Sequence, residues 1–327
     1  MKISQDTVGF VAIGRNEGER FKRCLASLMR EGDRIVYVDS GSTDGSVAHA
    51  ERAGAAVVRL DTQIPFTAAR ARNAGFAELA RRWPDTKTVM FIDGDCEITE
   101  GFVTAGLERL TGQSDIGIVT GKCRERDPDA TVYNRLCEIE WNGPVGEIEA
   151  CGGIFMTRAD IFRSVGGFNE KIIAAEDDDF CIRVRALGER IVRIDHDMCL
   201  HDADMRHFGQ WWRRMVRAGH AFAQLGDIHG DYFKAERRRA WGWGLLLPAI
   251  ALVGAPVSGG WTLLLFGLYP LSFWRTRGNL IKDGQQPNHA MLGAAFLTLA
   301  KFPNLLGMIQ YRLKKMTGNE IGIVEYK

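Results

Sequence analysis

The stretch Thr88-Val89-Met90-Phe91-Ile92-Asp93-Gly94-Asp95 carries the strongest structural signal in this chain. Its apolar residues predict a buried strand, and two carboxylates separated by one glycine follow that strand directly. In an open α/β sheet, ligands bind outside the carboxyl ends of the strands, where paired carboxylate oxygens suit a divalent metal ion. The sequence therefore predicts that Asp93 and Asp95 lie at a metal- and phosphate-binding edge of a sheet.

The Asp-x-Asp pattern recurs elsewhere in the chain, so the triplet alone is a weak signal. The other copies are Asp127/Asp129, Asp177/Asp179, Asp195/Asp197 and Asp202/Asp204. Because only the copy at Asp93 comes directly after such a strand, we expect most of the others to be solvated or incidental.

Composition limits the kind of protein and its partners. A chain of 327 residues is long enough for one large domain with an appendage. Its 42 Lys and Arg residues nearly balance its 41 Asp and Glu residues, so nucleic acid is not an expected partner. The seven cysteines are scattered and never spaced C-x-x-C, which argues against a disulfide framework and a zinc site and favours a reducing cytosol.

The amino terminus shows no export signal. Residues 1–7 are polar, and the apolar run 8–13 is too short for the core of a signal peptide. We therefore expect the first part of the chain to stay in the cytosol.

Apolar periodicity alternates between strand and helix along the first part of the chain. It predicts strands at 8–13, 34–38, 56–60, 88–92, 116–120 and 191–194, and helices at 17–29, 46–53, 67–82, 102–110, 133–141, 160–164 and 177–187. Such alternation is typical of an α/β fold with a mostly parallel sheet and flanking helices. We predict this catalytic domain at residues 1–205, connecting helices at 206–239 and a membrane-associated helical region at 240–327.

The connecting segment 206–239 is rich in tryptophan and arginine. Such a mixture could lie along a membrane surface, or it could form a basic helix that packs its tryptophans on the main domain. The sequence leaves both interpretations open.

Residues 240–274 contain no charged residue and have arginines on both sides. As a helix they would extend about 50 Å, which exceeds one crossing of a ~30 Å hydrocarbon core but barely allows two. Gly259 and Gly260 predict two short helices, and the flanking arginines place both ends in the cytosol, so we expect a hairpin that crosses twice or re-enters. A buried hairpin of a soluble oligomer is the alternative.

The apolar run 290–300 should be interfacial or re-entrant, because Lys301 and Pro303 interrupt it.

Asp39 is a candidate for nucleoside binding, because it ends a predicted strand and could accept hydrogen bonds from a nucleobase or a ribose. In the alternative interpretation, Asp44 and the neighbouring serines serve only as turn and helix-cap residues.

Two further groups could carry chemistry. Glu176-Asp177-Asp178-Asp179 begins a predicted helix after a glycine-rich loop, where a carboxylate could take a proton from a hydroxyl nucleophile; a solvated acidic surface is the alternative. His201 follows the last predicted strand, and a histidine nitrogen beside an aspartate oxygen suits Mn²⁺ better than Ca²⁺. Spacing alone does not exclude His196 as the metal ligand.

Taken together, these pieces resemble family 2 glycosyltransferases of the GT-A fold, in particular membrane-associated bacterial enzymes of exopolysaccharide and glycolipid synthesis. The resemblance covers roughly residues 8–204, with the motifs in the family's order. They are Arg15-Asn16-Glu17, Asp39 to Gly45, Ala71-Arg72-Asn73-Ala74-Gly75, Asp93-Gly94-Asp95, Gly166-Gly167-Phe168, Glu176-Asp177-Asp178-Asp179 and His201. Each motif is weak alone, but their order and spacing make the combination specific.

On the donor side, the resemblance implies a site for a sugar nucleotide. Glu17 and Asp39 would hold the nucleoside, and Arg72 would lie near the phosphates. Asp93 would contact ribose or metal. Asp95, with His201, would bind the Mn²⁺ or Mg²⁺ ion that neutralises the leaving nucleoside diphosphate.

On the acceptor side, the resemblance implies that Asp177 is the general base and that the anomeric configuration inverts. Glu176 would lie on the acceptor or phosphate side. Gln210-Trp211-Trp212-Arg213-Arg214 is similar to the Q-x-x-R-W motif of processive members, and Gln210, Arg213 and Arg214 would also face the acceptor or a phosphate. Arg214 replaces the expected tryptophan, which favours a single transfer over processive polymerisation.

The sequence therefore predicts a metal-dependent, inverting glycosyltransferase that acts on a saccharide or lipid-linked acceptor at the cytoplasmic face of the inner membrane, in contact with membrane lipids. One alternative is a nucleotidyltransferase that makes the sugar nucleotide. Another is a non-catalytic, membrane-anchored scaffold that binds nucleotide sugars.

Overall fold

The computed structural model describes residues 7–141 and 143–318. These residues group into two compact units, one of residues 7–127, 140–141 and 143–203 and one of residues 128–139 and 204–318. Residues 1–6, which belong to the polar amino terminus, lie outside the described residues. So do residues 319–327 of the predicted membrane region.

The first unit alternates strands and helices in the predicted manner. The strands are β1 (Val8–Gly14), β2 (Ile35–Asp39), β3 (Ala56–Arg59), β4 (Thr88–Asp93), β5 (Cys96–Ile98), β6 (Ile116–Glu125), β7 (Gly146–Glu147), β8 (Phe155–Arg158) and β9 (Arg190–His201). The helices are α1 (Glu19–Glu31), α2 (Ser46–Arg52), α3 (Ala68–Arg82), α4 (Phe102–Gly112), α5 (Val132–Trp141), α6 (Ala159–Ser164) and α7 (Glu176–Ala186), with most of α5 belonging to the second unit.

Within the described residues, the strands form one mixed sheet in the order β3-β2-β1-β4-β8-β6-β9-β5, with β7 paired to β9. Strands β1 to β4 run parallel, whereas β8, β5 and β7 pair antiparallel with their neighbours. Gly14 is in register with Asp39, and Ile13 with Asp93. The α/β fold with flanking helices is confirmed, and the carboxyl ends of β1, β2 and β4 meet at one edge.

Both faces of the sheet are buried, which explains why its central strands are apolar without interruption. Phe10 and Met90 point into a core shared with helices α1 and α4. The next residues along the same strands, Val11 and Phe91, point into a second core shared with α3, α6 and α7. Alternate side chains thus fill two separate cores.

Strand β9 differs from the prediction, because it extends to His201 instead of ending at residue 194. His201 is therefore the last residue of a strand, where the prediction placed it in a following loop. The central part of β9 carries partly or fully exposed polar residues such as Arg193 and Asp195. They interrupt the run of apolar residues on which the strand prediction depended. Strands β5 and β8, of three and four residues, were not predicted.

The second unit is helical within the described residues. Its helices are α8 (Phe208–His229), α9 (Lys234–Trp241), α10 (Leu247–Gly254), α11 (Leu268–Lys282), α12 (Pro287–Leu299) and α13 (Lys301–Thr317). A π-helical segment, Gly242–Leu246, joins α9 to α10, and a 3₁₀ segment, Trp261–Gly267, precedes α11.

The uncharged stretch 240–274 forms a helical hairpin, which confirms the prediction of two short helices. Gly259 and Gly260 turn the chain with φ values of 59° and 93°, which glycine adopts without steric cost. The hydroxyl of Thr262 donates to the carbonyl of Ala251 at 2.9 Å and links the two arms. Whether the hairpin enters a bilayer stays a prediction.

Among the described residues, one helical stretch is long and apolar enough to cross a membrane, Pro287–Thr317, which comprises α12 and α13. The prediction expected a break at Lys301 and Pro303. The chain does divide there, because α12 ends at Leu299 and α13 begins at Lys301. Pro303 lies in the first turn of α13, where its missing N–H is of little consequence. Of the most apolar part of Pro287–Thr317, 44% is buried inside the protein, so only its length and composition suggest a membrane span.

Candidate active site at the carboxyl edge of the sheet

Asp39 shapes the turn that follows β2. Its side chain is 3% exposed, and one carboxylate oxygen accepts the N–H groups of Gly41 and Ser42 at 2.9 and 3.0 Å. The other oxygen accepts the hydroxyl of Tyr37 at 3.1 Å, and burial raises the pKa of that phenol. Asp39 thus has a turn role, which the sequence analysis gave only to Asp44 and the neighbouring serines.

The loops after β1 and β2 are bound to each other. The carboxylate of Asp44 accepts the N–H groups of Gly18 and Ser46 at 2.7 and 3.0 Å. The side-chain oxygen of Asn16 accepts the N–H of Thr43 at 2.7 Å. These contacts fix the loop on which Glu17 lies.

Glu17 lies against the turn between Asp93 and Asp95. A Cβ placed on Gly94 would come within 3.2 Å of the carbonyl oxygen of Ile13 and 3.4 Å of Cγ of Glu17. The carboxylate of Glu17 forms an ion pair of 2.8 Å with Arg20. A larger residue at position 94 would press on the β1 loop, so glycine suits the close approach of the Asp-Gly-Asp turn.

Arg72 joins the Asp-Gly-Asp turn to the acidic helix start. One guanidinium nitrogen donates to Asp93 at 2.9 Å and another donates to Glu176 at 2.6 Å, and the side chain is 2% exposed. Burial acts to lower the pKa of Arg72, but the carboxylates of Asp93, Glu176 and Asp177 outweigh it, so the pKa lies above its usual value. Arg72 is therefore a permanent cation at the base of the site.

The Cys151-Gly152-Gly153 loop leaves space for this guanidinium. A Cβ on Gly153 would lie 2.5 Å from Nη2 of Arg72 and 3.5 Å from a carboxylate oxygen of Asp93. The ring of Phe168 lies 5.5 Å from the guanidinium carbon on another side. The position of Arg72 thus depends on a glycine far from it in sequence.

Asp177 is in the first turn of α7, beside Glu176. Burial, Asp178 and Glu176 raise the pKa of Asp177 well above its usual value, and Arg72 acts in the opposite direction. The residue before the helix, Ala175, has a φ of 58°, a strained value for alanine that sets the direction in which the helix begins. A carboxyl with a raised pKa beside a fixed cation has the properties of a general base.

Asp179 has a structural role. Its carboxylate pairs with Arg183 at 2.7 Å, and Arg183 also donates to the carbonyls of Val165 and Gly167, both at 2.7 Å. The glycine-rich loop is held from its other side by Asn73, which exchanges hydrogen bonds of 2.9 Å with the backbone of Phe168. Asp179 is therefore a less suitable base than Asp177.

Asp95 and His201 are brought together although they are far apart in sequence. Oδ2 of Asp95 lies 3.6 Å from Nε2 of His201, because β5 pairs with β9. Together with Sγ of Cys96 they form a group of possible metal ligands whose donor atoms lie within 4.8 Å of one another. His196, the competing histidine, is partly exposed, and its Nδ1 lies 2.6 Å from the carbonyl of its neighbour Asp197.

The sequence analysis missed three residues around His201. Cys96 is next to Asp95, the ring of Trp141 lies 4.3 Å from the imidazole in an edge contact, and Oε2 of Glu125 lies 3.6 Å from Nδ1 of His201. Glu125 ends β6, but Lys122 and Arg124 interrupt the apolar pattern before it, so it carries no sequence signal comparable to those at Asp39 and Asp93.

Gln210, Arg213 and Arg214 lie on helix α8 of the second unit. The side-chain oxygen of Gln210 accepts the N–H groups of Arg206 and His207 at 2.8 and 3.0 Å, which caps the start of α8. Arg213 is exposed and Arg214 is partly buried.

Two family models match the chain. The model described as "Glycosyl transferase family 2" matches residues 11–165, and the one described as "N-terminal domain of galactosyltransferase" matches residues 135–207. A TPR repeat-containing protein of Synechococcus elongatus is 34% identical over 137 residues, which make up 42% of this chain and 32% of that protein. The match thus spans about a third of the length of this relative.

Solved structures share the fold. A mannosyltransferase of Pyrobaculum calidifontis, in complex with GDP-Man and Mn²⁺, has a TM-score of 0.63 at 17% identity, covering 96% of this chain and 90% of that one. A segment of TarS from S. aureus, in complex with UDP, has a TM-score of 0.51 at 14% identity, covering 96% and 92%. Glucosyl-3-phosphoglycerate synthase of Mycobacterium tuberculosis, with Mg²⁺ and UDP, has a TM-score of 0.51 at 18% identity, covering 69% and 80%.

Proposed function

Because residues 11–165 of this chain belong to glycosyl transferase family 2, we propose that the protein is an inverting glycosyltransferase. It moves a sugar from a nucleoside diphosphate sugar to a hydroxyl group of a lipid-linked saccharide acceptor. The observation that carries the proposal is the bridge made by Arg72, which joins Asp93 at the strand edge to Glu176 beside Asp177. This bridge supports a single site in which the proposed phosphate-binding edge lies beside the candidate base.

The donor lies along the carboxyl ends of β1, β2 and β4 in this proposal. Glu17 and Asp39 hold the nucleoside, and Asp93 contacts the ribose or the metal. Arg72 supplies fixed positive charge near the phosphates. Support comes from the solved relatives of the same fold, which are in complex with GDP-Man or UDP.

Asp95 and His201 fit a divalent metal ion. A carboxylate oxygen and an imidazole nitrogen form a donor set that suits Mn²⁺, and Mg²⁺ is the alternative. When bound, the ion supplies Lewis-acid charge neutralisation for the departing diphosphate. One relative of the same fold is in complex with Mn²⁺ and another with Mg²⁺.

Asp177 accepts the proton of the acceptor hydroxyl. As the O–H bond breaks, the oxygen forms a bond to the anomeric carbon, and the bond between that carbon and the phosphate oxygen breaks on the opposite face. The nucleoside diphosphate leaves with the electron pair, so the anomeric configuration inverts. Glu176 contributes by holding Arg72 beside the base.

In this proposal the acceptor is lipid-linked, and the enzyme acts at the cytoplasmic face of the inner membrane. Gln210, Arg213 and Arg214 face the acceptor or its phosphates. The hairpin supports this part, because Val257 is 92% exposed and Trp261 is 75% exposed at its turn. Residues 240–254 would extend only about 22 Å as a helix, which favours a re-entrant hairpin over two full crossings.

A donor panel tests the proposal. Purified protein is incubated with sugar nucleotides, Mn²⁺ and a saccharide or lipid-linked acceptor, and the released nucleotide is identified. We expect nucleoside diphosphate release with one donor, and loss of release after chelation that added Mn²⁺ restores.

Other outcomes would support the alternatives. Pyrophosphate release from a nucleoside triphosphate and a sugar phosphate would identify a nucleotidyltransferase. Binding of a sugar nucleotide without turnover under any condition would favour the scaffold.

A further inference from the structure

Arg193 lies in the middle of β9 and is partly buried. Its Nε is buried and has no hydrogen-bond partner within residues 7–141 and 143–318, and Nη1 donates to the carbonyl oxygen of Pro144 at 3.3 Å. No carboxylate in these ranges forms an ion pair with it, whereas Arg190 on the same strand pairs with Asp115 at 2.7 Å. The described part of the chain therefore supplies no counter-charge for Arg193.

The charge of Arg193 is thus uncompensated. Arginine stays protonated at neutral pH, and a buried charge without an opposite charge is unfavourable. Burial lowers the pKa of Arg193, and the groups that act in the opposite direction are the thiols of Cys151 and Cys123. A bound anion would offset the cost of burial, so this side chain is suited to an anionic ligand.

The segment 143–153 lies against Arg193 at its beginning. A Cβ placed on Gly143 would come within 2.1 Å of Nη1 of Arg193, so the backbone of the segment lies directly on the guanidinium. Gly146 is in register with Arg193 where β7 pairs with β9. The start of the segment is thus held beside the cation.

The end of the same segment borders the proposed active site. Gly153 lies against Arg72, because a Cβ on Gly153 would come within 2.5 Å of Nη2 of Arg72. Sγ of Cys151 lies 3.4 Å from Sγ of Cys181 on α7, the helix whose first turn carries Asp177. One segment therefore contacts both Arg193 and the helix of the proposed base.

Arg193 also lies on the same face of the sheet as α7. Along β9, Val192 points into the core shared with α1 and α4, and Ile191 points into the core shared with α3, α6 and α7. Because side chains alternate along a strand, Arg193 lies on the side of Ile191. The uncompensated cation and the proposed base thus belong to one face of the sheet.

We propose that Arg193 binds an anionic group, a carboxylate or a phosphate, on the terminal sugar of the acceptor. The guanidinium presents its donors in a planar fork that fits the oxygens of either group. The inference rests on the transferase role in the proposed function, in which Asp177 takes the proton of the acceptor. It adds the chemical class of that acceptor.

The first test measures binding without turnover. The full-length protein is labelled with ¹⁵N-arginine, and the Nε signal of Arg193 is assigned by comparison with Arg193→Lys. We expect glucuronate or glucose 6-phosphate to shift this signal saturably, because each is a sugar with an anionic group, and we expect neutral glucose to leave it unchanged. A signal that responds to neither charged sugar, or responds equally to glucose, would overturn the proposal.

The second test measures acceptor preference with lipid-linked acceptors that share one lipid and linkage and end in glucose, glucuronate or glucose 6-phosphate. Arg193→Gln keeps a donor for the Pro144 carbonyl and loses the charge. For the charged acceptor that the parent prefers, we expect kcat/KM to fall roughly 10-fold to 100-fold, and for the neutral acceptor we expect no change. The acceptor that shows the loss distinguishes a carboxylate from a phosphate, and an equal loss with all three would show that Arg193 acts only on the fold.

Arg190→Gln is the control, because it removes the same charge from the same strand, but from an arginine that already pairs with Asp115. It should keep the acceptor preference of the parent. The same selective loss in Arg190→Gln would contradict a specific role of Arg193. If no donor supports transfer to any acceptor, the proposed function fails, while the titration of the Arg193 signal still decides whether the anion site exists.

Discussion

At the scale of single residues, Asp177→Asn tests the proposed base. We expect transfer to fall by roughly 10²-fold or more while donor binding is retained, because an amide cannot take the proton. Rates and donor affinity are measured side by side, with Asp160→Asn as the control because Asp160 is an exposed aspartate on α6. Equal rates in Asp177→Asn and the unaltered protein would move the base to Asp178.

The pH dependence of transfer follows from the neighbours of Asp177. Burial, Asp178 and Glu176 raise its pKa, and Arg72 only partly opposes them. Because the base works when deprotonated, activity should be lost as pH falls through a pKa above the usual aspartate value, and it should persist at higher pH. An acid limb at the ordinary aspartate value, or the same acid limb in Asp177→Asn, would contradict this assignment.

Gly153→Ala tests the space that holds Arg72. The new methyl would lie 2.5 Å from Nη2 of Arg72, so the guanidinium must move and its bond to Asp93 is weakened. We expect donor affinity to fall roughly tenfold, the equivalent of one charge-assisted hydrogen bond of about 1.5 kcal/mol. Gly112→Ala meets nothing within 4 Å and is the control. Unchanged donor affinity in Gly153→Ala would show that Arg72 does not contribute to donor binding.

At the scale of secondary-structure elements, helices α8 and α13 touch through their backbones. A Cβ on Gly219 would lie 2.0 Å from the carbonyl oxygen of Asn304, and a Cβ on Gly307 would lie 1.9 Å from that of Val216. Gly219→Ala should therefore lower the free energy of unfolding by roughly 1–3 kcal/mol or more, because backbone cannot move aside as a side chain can.

The control for this prediction is Gly278→Ala on α11, which meets open space. It should be neutral or slightly stabilising, because alanine favours a helix over glycine by up to about 1 kcal/mol. Urea unfolding of both variants gives the comparison. A Gly219→Ala protein as stable as the parent would show that the helices are further apart than described.

Elements with strong periodicity were predictable from the sequence, and contacts across the sheet were not. Strand β4 is a continuous apolar run, so both it and the carboxylates that follow it were identified. Strand β9 carries Arg193 and Asp195 where a buried strand would be apolar, so its extension to His201 was missed. The proximity of Glu125 to His201 depends on the register of β6 and β9, which a single sequence does not reveal.

At the scale of the whole molecule, the exposed hairpin predicts membrane binding. Val257→Asp places a charge at its turn, and a charged residue in the hydrocarbon costs about 2.5–3.5 kcal/mol, so vesicle binding should fall tenfold or more. Co-sedimentation with anionic phospholipid vesicles measures the change. Met29→Asp is the control, because Met29 is an exposed apolar residue on α1 of the first unit.

Two outcomes would contradict the membrane prediction. The first is equal vesicle binding by Val257→Asp and the parent, and the second is a full-length chain that stays monodisperse without detergent. Ending the chain near Arg239 is a poorer test, because it also removes α13, whose backbone contacts α8 at Gly219. A point substitution leaves that helix pair intact.

The guanidinium of Arg72 also has a consequence for how the two substrates bind. It bonds to Asp93, on the proposed donor side, and to Glu176, beside the proposed base for the acceptor. If the donor shifts the guanidinium, the field around Asp177 changes with it, and the two binding equilibria become coupled. Such coupling is reciprocal. If bound donor changes the affinity for the acceptor by some factor, bound acceptor changes the affinity for the donor by the same factor.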